Sequence, residues 1–67
     1  MSPRRLSTMV KELRAKRGLS QRELAKMVGI SDVYITLLET GQRKNPSLAI
    51  LKKIAKALGV PVTTLLE

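Results

Sequence analysis

The sequence predicts an all-α chain, a bundle of five short helices, and three observations carry that expectation. Apolar residues recur at spacings of three and four, the period of a helix face, and no stretch alternates as a half-buried strand does. Gly18, Gly29, Gly41 and Gly59 each stand just past the end of such a stripe, where a residue tolerant of positive φ stops a helix. Ser2, Ser20 and Ser31 stand just before stripes, where a hydroxyl caps free amides.

Leu6, Met9, Val10 and Leu13 fall at i, i+3, i+4 and i+7, so a first helix is placed from about Pro3, a first-turn residue capped by Ser2, to Gly18. Ser20-Gln21-Arg22-Glu23 is an S-x-x-E capping box that opens a second helix, which runs to Val28 and stops at Gly29. Ser31 caps a third, lasting until about Thr40. The polar, basic loop Gln42-Arg43-Lys44-Asn45 follows, then Pro46 in the first turn of a fourth helix with the stripe Leu48, Leu51, Ile54, Ala55 and Leu58. Pro61 and the residues after it, with Val62, Leu65 and Leu66, make at most two turns of a fifth.

Composition narrows the function. A chain of 67 residues is one domain, residues 1–67, near the lower size limit for folding alone. With no Cys and no His it lacks disulfides, the usual zinc ligands and the usual nucleophile and base pairs, so neither an enzyme nor a metal or other cofactor is expected. The core must be aliphatic, because there is no Phe or Trp and Tyr34 is the single aromatic residue; this also counts against RNA modules that stack bases on rings. Leu48-Ala49-Ile50-Leu51 is the longest apolar run, far short of the roughly 18 residues a membrane span needs. Ser7, Thr8, Lys11 and Glu12 interrupt what would have to be the apolar segment of a secretion signal. The expected location is therefore the cytoplasm, and the net charge of +8, from 13 basic against 5 acidic residues, points to a polyanionic partner.

Residues 21–40 place small and apolar side chains where two short helices can cross tightly. Leu24 and Val28 face the core, Ala25 lies at the crossing where a larger side chain would hold the helices apart, Gly29 makes the turn, and Ile30, Ile35 and Leu38 close the angle. At about 100° per residue, Ser31, Ile35 and Leu38 cluster on one side of the third helix. Val33, Thr36, Leu37 and Thr40 occupy the opposite side, which is free to touch something else.

The stretches Leu19-Ser20-Gln21-Arg22-Glu23-Leu24-Ala25, Val28-Gly29-Ile30-Ser31, Tyr34-Ile35, Leu38-Glu39-Thr40-Gly41, Asn45-Pro46-Ser47-Leu48 and Ile54-Ala55-Lys56-Ala57-Leu58-Gly59-Val60 resemble the Cro/cI-type repressors, also called the xenobiotic-response-element family. The resemblance covers nearly the whole chain. It implies a lambda-repressor-like DNA-binding domain with its helix-turn-helix at the second and third helices, residues 20–41, the third entering the major groove of double-stranded DNA. The implied function is sequence-specific transcription regulation, as a repressor acting as a dimer on a near-palindromic operator. An antitoxin that binds a protein toxin as well as its own promoter is the alternative on the same fold.

Carried onto this chain, the family pattern makes Asp32, Val33, Thr36 and Leu37 the base-reading set. Family members often place Gln, Asn, Arg or Lys there, whereas this chain offers a carboxylate, a hydroxyl and two aliphatic groups. A carboxylate accepts from cytosine N4 and the others touch thymine methyls, so a half-site with closely spaced T and C is expected. Gln21, Ser31, Tyr34, Gln42, Arg43, Lys44 and Asn45 match phosphate-contacting positions, Gln21 also bracing the third helix, and Ser47 stands where the family has a minor-groove arginine. Arg14 and Glu39 match a salt bridge tying the first helix to the third. Val60, Pro61, Val62, Leu65 and Leu66 match the self-contact, a small patch that predicts a weak homodimer, firmer on DNA. A toxin or polymerase is a further protein partner to consider; a membrane is not. Plainer roles stay open for some of these residues: packing for Tyr34, a protein-binding patch for Val33 and Leu37, and closure of the core for the late apolar group.

Overall fold

The computed structural model describes residues 5–66. The elements in chain order are α1 (Leu6–Lys16), α2 (Gln21–Val28), α3 (Asp32–Thr40), α4 (Leu48–Leu58) and α5 (Val62–Leu66), and the described residues contain no strand. Helices α2, α3 and α4 each open on a serine whose hydroxyl oxygen accepts the amide three residues on: Ser20 from Glu23 at 3.0 Å, Ser31 from Tyr34 at 3.1 Å and Ser47 from Ile50 at 3.2 Å. The capping box closes in the other direction too, with the Ser20 amide donating to Glu23 Oε1 at 2.8 Å. That backbone bond, and then the Ser20 side chain, holds the Glu23 carboxyl below the usual carboxylate range.

Two helix starts differ from expectation. Ser47 caps α4, so Pro46 lies before the cap and not in the first turn; a serine oxygen satisfies an orphan amide, which a proline ring cannot do. At the other end of the chain Arg5 is extended, with φ −71° and ψ 142°, so α1 begins at Leu6 and not near Pro3. Ser2 and Pro3 lie outside the described residues.

Between α2 and α3 the chain reverses on Gly29, whose φ of +84° is a conformation that side chains disfavour. The amides of Gly29 and Ile30 both donate to the Ala25 carbonyl, at 2.8 and 3.0 Å. This turn sets the angle between the two helices. Ala25 itself is buried at their crossing.

The core is aliphatic. Met9 and Val10 of α1, Leu24, Ala25 and Val28 of α2, Ile35 and Leu38 of α3, Leu51, Ile54, Ala55, Ala57 and Leu58 of α4, and Leu65 of α5 form one buried cluster. Helix α1 packs on α3 and α5, and α2 packs on α3 and α4, so α3 is held from two sides while a third remains open. Leu48, expected on the buried stripe, is 52% exposed, because as the first residue of α4 it sits beyond the end of the packed stripe; Ala57 joins the core in addition to the expected residues.

Gly59 closes α4 with φ +72°, and a Cβ there would collide with the guanidinium of Arg17. That guanidinium donates from Nη1 to the Leu58 carbonyl at 3.4 Å, tying the end of α1 to the end of α4. Gly59→Ala is expected to lower stability by about 1 to 2 kcal/mol, from left-handed strain plus displacement of Arg17. Denaturant titration in the Arg17→Ala background checks this: the steric part of the loss should vanish there and the strain should remain.

Candidate nucleic-acid interface

Helix α3 is anchored by its inner face, where Ile35 and Leu38 are fully buried, and the opposite face is open. Val33 is 61% exposed, Thr36 and Thr40 are exposed, and Leu37 is half-buried. Asp32, the first residue of the helix, accepts the Val33 amide on Oδ1 at 3.0 Å, a favourable place for a negative charge beside a positive helix end. Its Oδ2 lies 3.8 Å from Nε of Arg22 on α2, an exposed pair worth little to stability. Arg22, one of several cations with no assigned role in the sequence, thus stands next to the leading edge of α3.

Behind the open face runs a chain of polar contacts. Arg14 of α1 donates from Nε to Glu39 Oε2 at 2.6 Å and from Nη2 to Oε1 at 3.0 Å, a two-pronged pair, while Nη1 donates to the Leu19 carbonyl at 2.7 Å. The side chains are 16% and 3% exposed. The hydrogen bond to Glu39 raises the Arg14 pKa above its ordinary value, outweighing the opposing effect of burial. Glu39 Oε1 accepts a further bond from Gln21 Nε2 at 3.0 Å, and Gln21 Oε1 accepts from the Thr36 hydroxyl at 2.8 Å. Gln21 therefore braces α3 from within, and one of its amide protons lies outside this chain of contacts.

After α3 the backbone folds back, with Gly41 N–H donating to the Leu38 carbonyl at 3.2 Å and Arg43 N–H to the Leu37 carbonyl at 3.0 Å. Gln42, Arg43, Lys44 and Asn45 are all exposed. The Arg43 guanidinium lies 4.6 Å from the centre of the Tyr34 ring, a cation–π arrangement that holds the charge beside α3. Tyr34 is half-buried against the core, so it packs and positions at once. A cleft of about 360 Å³ lined by Arg5, Leu6, Ser7, Leu38, Gly41, Arg43 and Lys44 adds Arg5 to this basic edge. No local sequence signal marks that juxtaposition, because the start of α1 meets the loop only through the fold.

The late apolar group divides. Pro61 and Leu66 are exposed, and Val60 and Val62 are half-buried. Leu65 is 4% exposed and belongs to the core, which removes it from the expected self-contact: α5 is held against α1 and α4 through this side. Among the described residues there is no cluster able to hold a metal ion, and no helix is long and apolar enough to cross a membrane.

Two short helices joined by a glycine turn, the second with a locked inner face and an open outer face beside basic groups, define the helix-turn-helix class of DNA-binding transcriptional regulators. The helix-turn-helix family model matches residues 10–65, and the chain belongs to that family, in its Cro/cI type. SinR of Bacillus subtilis, an HTH-type transcriptional regulator, is 36% identical over 58 residues, 87% of this chain and 52% of SinR, so the chain spans about half that relative's length. An HTH-type transcriptional regulator of Archaeoglobus fulgidus is 42% identical over 60 residues, 90% of this chain and 84% of its own. Among solved structures, SinR, described as the master regulator for biofilm formation and solved in complex with DNA, superposes with a TM-score of 0.88 at 34% identity, covering 92% of this chain and 98% of that one. The P22 c2 repressor bound to a synthetic operator gives 0.87 at 28% identity, covering 94% of each.

Proposed function

We propose that this chain binds a specific double-stranded DNA operator and represses transcription there as a dimer on a near-palindromic site. The observation that carries the reading is the open face of α3, flanked by Arg43 and Lys44 and backed by a fixed polar network. In the major groove, Asp32, Val33, Thr36 and Leu37 meet base edges. Ser31, Gln42, Arg43, Lys44, Asn45 and the remaining amide proton of Gln21 face phosphates, and Tyr34 serves that set by holding Arg43. A single helix reads only a few base pairs, so a two-fold pair with recognition helices about 34 Å apart supplies the rest. Val60, Pro61, Val62 and Leu66 supply a small self-contact, which makes pairing weak in free solution and firm on DNA. Bound there, the dimer occludes polymerase.

A gel-shift series against the DNA upstream of its own gene tests this. Specific binding should survive at about 0.15 M salt, where mere phosphate attraction weakens equally for every sequence. In the Arg43→Ala/Lys44→Ala double variant the slope of log affinity against log salt should shrink by about 2, roughly 0.9 per lost phosphate contact. Equal loss of affinity for operator and random DNA as salt rises would remove the repressor reading.

A further inference from the structure

We infer that Thr36 reads DNA as a hydrogen-bond acceptor only, so that the base it meets presents an amino group, adenine N6 or cytosine N4. The inference rests on the proposed DNA-facing role of α3 and names the chemistry of one of its contacts. It replaces the thymine-methyl contact that the side-chain type alone suggests.

The polarity of the network is dictated from its buried end. Arg14 carries donors alone, and two of them are directed at the Glu39 carboxylate. That ion-paired carboxylate can only accept, so the Gln21 amide must turn its nitrogen toward Glu39 Oε1; the flipped amide would set oxygen against oxygen. Gln21 Oε1, an obligate acceptor, then faces Thr36 Oγ1 at 2.8 Å. A second inward neighbour, the Asp32 carbonyl at 3.1 Å, is an acceptor as well. Thr36 has one hydroxyl proton, and both inward neighbours can only accept it.

The proton therefore stays inside, and the hydroxyl oxygen of this exposed residue offers the groove its lone pairs. An isolated threonine hydroxyl rotates freely and can donate to guanine O6 or N7 or thymine O4 as readily as it accepts from an amine. Here the donating half of that repertoire is withdrawn. Adenine and cytosine, which carry major-groove amines, are selected over guanine and thymine, which do not.

Binding-site selection with the wild type, Thr36→Val and Thr36→Ser tests this, with thermal melts of each protein alongside. The wild-type motif should contain a position at which the amine-bearing base, A or C, is confined to one strand of the pair. That restriction should relax about three- to tenfold in Thr36→Val, the worth of one hydrogen bond, and persist in Thr36→Ser, which keeps the hydroxyl. A measurement on the wild type alone needs no variant to fold: replacing the adenine at that position with purine, or the cytosine with its analogue lacking the N4 amine, should weaken binding by a similar factor. A Thr36→Val motif identical to the wild type, or indifference to the lost amine, would overturn the acceptor assignment and leave DNA reading by α3 standing. A wild-type selection that returns no motif would overturn the DNA-reading role itself.

Discussion

Glu39→Ala should lower stability by about 3 kcal/mol and the melting temperature by roughly 15 °C, one of the largest effects expected of a substitution outside the apolar core. The loss has two sources. Arg14, 16% exposed, would keep its charge with only the Leu19 carbonyl to receive it, and Gln21 would lose the acceptor that fixes its amide. Removing one partner of a mostly buried pair costs more than the intact pair contributes, because the remaining charge is left desolvated. Replacing both, Arg14→Met with Glu39→Leu, should therefore regain much of what Glu39→Ala loses. Calorimetry of the two variants beside the wild type checks the claim. A shift below about 2 °C for Glu39→Ala would show that the pair does not tie α1 to α3 energetically.

Val33→Glu should leave the melting temperature within about 2 °C of wild type and weaken operator binding about a hundredfold. Val33 is 61% exposed, so the core hardly registers its replacement. A lost base contact is worth about 1 to 3 kcal/mol, and the new carboxylate adds repulsion from the phosphates on either side. Fluorescence anisotropy at fixed salt, with a scrambled duplex as reference, separates the two parts: the scrambled duplex loses only the electrostatic share. Undiminished operator affinity would show that α3 turns some other face to DNA.

What was legible in the sequence was mostly local. The Ser20 and Ser31 caps, the Glu23 box and the Gly29 turn involve partners within five residues, and the buried faces of α1 to α3 follow from helical spacing. Where two local signals compete, the reading slips. Pro46 and Ser47 both mark a helix start, and the serine occupies the cap because it brings an acceptor. Leu48 follows the apolar spacing and yet lies beyond the packed part of α4, since periodicity gives a direction and not what lies there. Leu65 shows the converse, a residue near the chain's end drawn into the core by α1 and α4.

The contacts that shape the interface are farther apart in sequence. Arg14 and Glu39 are separated by 25 residues, and that pairing was legible through the family resemblance alone. That Gln21 braces the third helix followed from the family resemblance, while its partner there, Thr36, 15 residues on, had no signal of its own. Arg17 at the end of α4, Arg43 over Tyr34, and Arg5 beside the 41–44 loop depend on how the helices pack, which no single-helix pattern encodes.

The tether on Thr36 divides the outer surface of α3 into fixed and replaceable letters. Val33 carries an exposed aliphatic side chain outside that chain of contacts, so under the proposed DNA-reading role a descendant should be able to exchange it and answer to a different promoter with its melting curve unchanged. Thr36 cannot be exchanged so freely, because its proton completes a circuit that ends on Arg14. Drift in target preference should thus run through position 33 while the letter opposite position 36 stays constant.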